Sequence, residues 1–401
     1  MRFLAMFLVF LCALNAEGNI YSNIPTAKIE VINLNPTPCG KSCLKDLAKN
    51  QKIFSYIARF SREIEDEDLV NLMMDYTRQI GVYYKVRFEL LENELKVALL
   101  IPKKTIGAYS TTTIDTILSY LAFRDIDFKF KVFDSVDESA ESILKALAMM
   151  KDEHFNFAIA ILQKKENLSL LSDLHIPLYI PTIRKPADWD SKNEHIIFGG
   201  IDYFAQVEML MKEGSGDNII SYDDDSAIGS DIGASVEAQS GDYKFYKEVV
   251  TNKDATNFSA HLERQKNILK ESSVFLNTRV VISGLLLSQI GILKEMPKRI
   301  LSTQVNYNPT LLSLLRGINT KNLLIANSIG DSDDRLLEYS ALLSGDLKYE
   351  WVNYSTALGV DLFLSKMKDG IERYFKESVE DSQVVYKTRL YGVENNIFVE
   401  R

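Results

Sequence analysis

Three cysteines, nine prolines, four histidines and two tryptophans in 401 residues leave several chemistries without material. The histidines, His154, His175, His195 and His261, stand far apart. No H-x-x-x-H or H-E-x-x-H run sets two imidazoles on one helical face. The sequence has no G-x-S-x-G elbow and no G-x-x-x-x-G-K-[ST] loop, so two common enzyme signatures are missing. Positive charge is in deficit: 46 Lys and Arg against 55 Asp and Glu give a formal net charge of −9. Such a balance argues against nucleic acid as the main partner, because phosphate binding needs clustered Lys and Arg. Beyond the N-terminus no run approaches the roughly 18 apolar residues that a spanning helix needs. What is present, 46% hydrophobic and 25% charged residues, is the composition of a folded chain with two or three compact units.

The N-terminus is the one strongly biased stretch. In Met1–Ala16, Arg2 precedes an unbroken apolar run from Phe3 to Leu14, the layout of a secretory signal cleaved after Ala16. Val9-Phe10-Leu11 lacks the small residues expected before a lipidated Cys12. The mature protein is therefore expected to be exported, periplasmic and free of transmembrane segments. Removing Arg2 takes its formal charge to about −10. The remaining cysteines, Cys39 and Cys43 in PCGKSC, read as a disulfide in an oxidising compartment. Across so short a loop the bridge pins a local turn rather than the fold.

Lys28–Leu34 reads as a short strand. From Cys43 to about Leu95 the apolar spacing is helical, as in Leu44, Leu47, Ile53, Tyr56, Ile57 and Phe60. The acidic run Glu63–Asp68 reads as a solvated helix start, where carboxylates favour the dipole. After Lys96 strands and helices alternate. Strands are expected at Lys96–Ile101, Phe128–Phe133, Phe155–Leu162, Pro177–Ile180 and His195–Phe198. Helices fall at Tyr109–Phe123, Glu138–Lys151 and Leu168–Leu174. A second alternating series starts near Tyr203 and includes the strands Asn218–Tyr222, Tyr243–Val249 and Asn322–Ala326. Tyr354–Met367 is a further helix, and Gln383–Val399 a hairpin turning at Glu394-Asn395-Asn396. Alternation of this kind predicts parallel sheets covered on both faces, and the unbroken apolar run AIAIL suits a central parallel strand.

Several of these segments resemble the type I periplasmic-binding-protein family, which includes the leucine-binding group of amino-acid receptors. KVALLIPKK with GAYSTTTIDTILSYL looks like the family's first strand, loop and helix. IPLYIPTI looks like a later strand of the first lobe, and IIFGGIDYFAQVEML like the passage to the second. NIISYDDDSAIGSDIGASV resembles the opening of the second lobe, and TRLYGVENNIFVE the closing hairpin. The resemblance covers roughly residues 96–401. It implies an α/β, two-lobed type I periplasmic-binding fold with a small helical N-terminal extension at 17–95. The first lobe would span 96–201 plus 320–370, and the second 202–319 plus 371–401. Three crossovers would join the lobes, and hinge bending would close them on a ligand.

Open parallel sheets place ligands beyond the carboxyl ends of their strands. Those positions here are Lys103 to Thr112, including Tyr109, Ser110, Thr111 and Thr112, with Gln163, Thr182, Asp223, Ser283 and Asn306. Any of the hydroxyls has the alternative role of helix cap. Lys103-Lys104 and Gln163-Lys164-Lys165-Glu166 depart from the small residues of amino-acid receptors, which puts an amino-acid pocket in doubt. Asp223-Asp224-Asp225 and Asp331-Ser332-Asp333-Asp334 lack the spacing of a calcium loop and read as acidic turns. No metal or cofactor is expected. The expected function is non-enzymatic binding of a small polar ligand between the lobes. The alternative is docking of an envelope protein, as in the lipoprotein activators of penicillin-binding proteins, which resemble a helical part followed by this fold.

Overall fold

The computed structural model describes residues 39–401 except 62–63, 85–94, 108, 152, 173, 190–194 and 368–370. The expected signal at Met1–Ala16 and the strand at Lys28–Leu34 lie outside the described residues. The chain divides into two compact units, Met1–Asn93 and Glu94–Arg401.

The first unit is helical: α1 (Lys41–Lys49), α2 (Ile53–Arg59) and α3 (Glu67–Tyr84). Leu44, Leu47, Tyr56 and Leu69 form its buried centre with Cys39. The Tyr56 ring meets Tyr76 edge-on at 5.2 Å, and its hydroxyl donates to the Leu69 carbonyl at 2.9 Å. Cys39 and Cys43 are bridged, with their Cα atoms 5.4 Å apart, so the disulfide ties a residue two positions before α1 to that helix's first turn. Glu67 and Asp68 occupy the first turn of α3 and face solvent, where the helix dipole favours them.

The second unit holds two sheets of seven strands. The first contains β1 (Leu95–Ile101), β2 (Phe128–Asp134), β3 (Phe157–Ala160), β4 (Leu178–Ile180) and β5 (Ile196–Phe198), all parallel. In β1, Val97, Leu99 and Ile101 pack on one face of the sheet while Ala98 and Leu100 pack on the other. Its residues are buried on both sides, which is why the run LKVALLI shows no polar alternation. One face carries α5 (Tyr109–Phe123) and α14 (Trp351–Met367), whose residues 353–364 are all buried. The other face carries α6 (Ala140–Lys151) and a 3-10 helix (Lys165–Leu171), where an α-helix is expected from the spacing.

The second sheet contains β6 (Asn218–Asp223), β7 (Lys244–Val249), β8 (Ser272–Asn277), β9 (Arg299–Ser302) and β10 (Leu323–Asn327), again parallel. Ile220 and Tyr222 join one core, Ile219 the opposite one. Helices α7 (Tyr203–Lys212) and α8 (Ala227–Gln239) cover the latter face, and α10 (Ser259–Leu269) and α11 (Val280–Ile290) the former. Each fully buried Ile, Leu or Phe contributes about 1.5–3 kcal/mol by leaving water.

The lobe boundaries differ from expectation at two places. β10 pairs with β9 and with β13 (Arg389–Glu394), so residues 323–327 belong to the second sheet rather than the first. β11 (Ser378–Glu380) and β12 (Gln383–Val385) extend the first sheet through β5. The apolar run LLIA suits either sheet, and its partners lie far away in sequence. The closing hairpin pairs β13 with β14 (Ile397–Glu400), turning at Asn395 and Asn396 with φ of 49° and 64°. Asn tolerates that left-handed conformation, and two such residues give the turn type whose twist matches a hairpin. Three passages connect the sheets: 199–202 from β5 to α7, 328–333 from β10 to α13 (Asp334–Leu342), and 386–388 from β12 to β13.

Candidate functional site

The passages leave β5 and β10 from their carboxyl ends, and the strands beside them are parallel. The carboxyl ends of both parallel sets therefore open toward the crossovers, and the loops following the strands line the space between the lobes.

On the first lobe, Tyr109 is 57% exposed. The Ser110 hydroxyl donates to the Gly107 carbonyl at 2.7 Å, and the Thr112 hydroxyl to the Tyr109 carbonyl at 3.1 Å. Thr111 is exposed and makes no side-chain hydrogen bond among the described residues. Gln163 also exposes its side chain, but its backbone N–H donates to Glu138 Oε1 at 2.9 Å, and Lys164 N–H donates to Oε2 at 3.0 Å. Glu138, a buried residue that the sequence pattern did not mark, thus occupies the donors at the end of β3. The Thr182 hydroxyl donates to the Leu162 carbonyl at 2.5 Å and accepts from Leu162 N–H at 3.2 Å.

On the second lobe the expected groups are buried. Asp223 Oδ1 accepts from Ser221 at 2.7 Å and from Asn277 at 3.0 Å. Its Oδ2 has no hydrogen bond but lies 3.3 Å from Lys247 Nζ. Ser283 and Asn306 come together at 2.9 Å, and the Asn306 amide nitrogen also donates to the carbonyls of Leu276 and Thr278. Beyond that pair and the local Tyr109–Thr112 turn, no hydrogen bond among the described residues joins the nine expected residues. The acidic triplet holds its own counter-charges. Arg279 reaches Asp224 at 3.0 Å and Asp225 at 2.5 Å, while Asp224 accepts from Ser226 N–H at 3.0 Å. Burial alone raises the Asp224 pKa, but the hydrogen bonds from Ser226 and Arg279 leave it below the ordinary value. Among the described residues no group of three or more His, Cys, Asp or Glu is placed to hold a metal ion.

The crossovers are cross-linked. Gln206, four residues into the first passage's helix, donates to Gln304 Oε1 at 2.9 Å and to the Ser328 hydroxyl at 2.7 Å. Ser328 in turn lies 2.9 Å from the Thr388 hydroxyl in the third passage. On the other side the Tyr386 hydroxyl donates to the Gly199 carbonyl at 2.6 Å. Gly199 and Gly200 admit no side chain: a Cβ would stand 2.0 Å from the Tyr179 hydroxyl and 2.1 Å from the Ile183 backbone, respectively.

A further loop, Leu343–Glu350, belongs to the first lobe but reaches the second. Tyr349 packs at a tilt beside Tyr307 at 5.5 Å and Phe398 at 6.3 Å, in a nest completed by Tyr391. The next residue, Glu350, accepts from the Asn308 amide of the second lobe at 3.5 Å. Burial, then the charge of Asp346, raises the Glu350 pKa. The Glu350 charge in turn raises that of Tyr109 on the first lobe. Glu350 therefore sits between groups of both lobes. No sequence motif marks it; only the aromatic residue beside it and the start of a strongly apolar helix hint at its place.

With this architecture in hand, the solved structures decide the fold. A branched-chain amino acid ABC transporter protein of Thermus thermophilus, solved with bound valine, matches 77% of this chain and 95% of its own with a TM-score of 0.54 at 14% identity. A solute-binding protein of Rhodopseudomonas palustris BisB5, in complex with 3,4-dihydroxybenzoic acid, matches 77% of this chain and 97% of its own at 0.54 and 13%. The fold is that of the type I periplasmic binding proteins. LpoA of Haemophilus influenzae matches 90% of this chain and 72% of its own at 10% identity, but its TM-score of 0.48 is too low to carry an argument. No protein-family model matches the sequence, and a search of the curated proteins gives no match. Bound valine and bound 3,4-dihydroxybenzoic acid on one fold show that the periplasmic-binding scaffold does not itself dictate a ligand.

Proposed function

We propose that the protein is an exported, non-enzymatic binding protein that holds a small polar ligand between its two lobes. The observation that carries this reading is the position of Glu350, between Tyr109 of the first lobe and Asn308 of the second. A group bound there touches both lobes, so binding and lobe closure are coupled. Tyr109, Thr111 and Gln163 keep exposed side chains in the loops that follow the first lobe's strands and supply further contacts. Among the described residues no helix is long and apolar enough to cross a membrane.

The test is a thermal-melting screen of amino acids, sugars and short peptides. A true ligand at 100 times its Kd adds about 2.7 kcal/mol and raises the melting temperature in a saturable way. A flat response across the panel defeats this reading.

A second reading, docking of an envelope protein, is favoured by one observation. Glu138, Thr182 and the Asp224–Arg279 pair already satisfy many of the donors and charges at the strand ends. Affinity capture from envelope extract then recovers a reproducible partner; an empty capture counts against it.

A further inference from the structure

The end of the loop Leu343–Glu350 and the first turn of α14 form one continuous piece. Asp346 Oδ1 accepts from the backbone N–H groups of Lys348 and Tyr349 at 2.8 and 2.9 Å, which sets the course of the chain into Tyr349. The Glu350 carbonyl accepts from Tyr354 N–H at 3.0 Å, so the helical hydrogen bonding of α14 already begins at Glu350. Residues 353–364 behind it are all buried in the first lobe. A hydrogen-bonded turn rooted in a close-packed core shifts as a unit rather than deforming.

The two ends of this piece grip different parts of the molecule. At one end Tyr349 sits in the second lobe's nest, 5.5 Å from Tyr307 and 6.3 Å from Phe398. At the other end two hydroxyls meet all three passages. Ser355 Oγ lies 3.0 Å from the Gly199 carbonyl of the first passage and 3.0 Å from the Tyr386 hydroxyl of the third. The Tyr354 hydroxyl donates to Glu377 and meets the second passage at Gly330, where an added Cβ would stand 2.6 Å from it. The Gly330 backbone hydrogen-bonds that same hydroxyl. Buried polar groups are costly to leave unpaired, so a shift of the turn draws the passages with it. We propose that residues 349–355 are a lever: displacement of Tyr349 within the second lobe's nest passes through the first turn of α14 to the three passages and sets how far the lobes bend. The lever needs no ligand and holds or fails separately from the proposed binding function.

The experiment is pulsed electron paramagnetic resonance on the full chain, with spin labels at the exposed residues Lys104 and Ile228, one on each lobe. Tyr354→Phe combined with Ser355→Ala removes both gripping hydroxyls and leaves the nest untouched. This double variant is expected to broaden the distance distribution between the lobes. Adding Tyr349→Ala is expected to broaden it no further, because the detached lever has nothing to act on, whereas independent contacts would add. Tyr179→Phe is the control: it removes a hydroxyl 3.0 Å from Ser355 Oγ that belongs to the first lobe alone, and it is expected to keep the wild-type width. An unchanged width in the double variant, further broadening on adding Tyr349→Ala, or equal broadening in Tyr179→Phe overturns the lever. Should the double variant not fold, Tyr386→Phe carries the same test, since it loses the third passage's contacts with Gly199 and Ser355.

Discussion

Replacing Tyr349 by Ala removes the one ring that the first-lobe loop places in the aromatic nest of the second lobe. Its two ring pairs, at 5.5 Å to Tyr307 and 6.3 Å to Phe398, lie within the range where aromatic pairs interact. Each such pair is worth about 0.5–1.5 kcal/mol beyond the area buried, and returning a half-buried ring to water adds about 1 kcal/mol. The expected loss is therefore about 2–4 kcal/mol, read as a lowered midpoint in urea. Tyr349→Phe keeps both ring contacts and is expected to stay near wild type. Because the ring spans the lobes, the substitution also loosens their relative position. Spin labels on the exposed residues Lys104 and Ile228, one on each lobe, are expected to show a broader distance distribution in Tyr349→Ala. A midpoint within about 0.5 kcal/mol of wild type, the ordinary range of surface substitutions, refutes the role given to this ring. An unchanged distance distribution refutes the link between the lobes.

Three further outcomes follow from other sites. The Glu350 pKa is raised above its ordinary 4.5, so the folded chain keeps this proton over a pH range where the unfolded chain has lost it. Ionisation therefore costs stability as pH rises from about 4.5 through the folded value. Glu350→Gln is expected to stabilise the protein at about pH 7 and to change little at about pH 4; a pH-independent difference in melting temperature contradicts this. At Gly233 an added Cβ would stand 1.9 Å from Asp223 Oδ2. Gly233→Ala should displace that buried carboxylate and cost about 3 kcal/mol in denaturant, and a neutral result shows the helix can shift freely. The Cys39–Cys43 bridge closes a short loop and adds about 2 kcal/mol or less to the helical unit. Peptide mapping without reductant should recover the two cysteines in one linked fragment, and two alkylated thiols would count against the bridge.

Much of the fold is legible because parallel α/β structure writes itself locally. The unbroken apolar runs of β1 and β3 and the amphipathic stretches between them mark strand and helix without reference to anything distant. Which sheet a strand joins is a different matter. Leu323–Asn327 reads the same whether it pairs with β9 or with the first sheet, because pairing depends on residues as far away as Tyr391, sixty-six positions from its partner Ile325. The site shows the same limit. The rule about strand ends points to Thr182, Asp223 and Asn306. It does not disclose that Thr182 is spent on Leu162, or that Asp223 is buried against Lys247. Glu350 escaped notice because its partner across the lobes, Asn308, stands forty-two residues away in sequence.

The central claim is that a small molecule binds between the lobes, and one titration addresses it most directly. The compound giving the largest melting shift is titrated into wild type, Tyr109→Ala and Asn308→Ala, the last two altering one lobe each. One site per chain is predicted, with either substitution weakening affinity by about tenfold, or about 1.4 kcal/mol. Affinity unchanged in both variants, or no saturable binding to wild type, would contradict it.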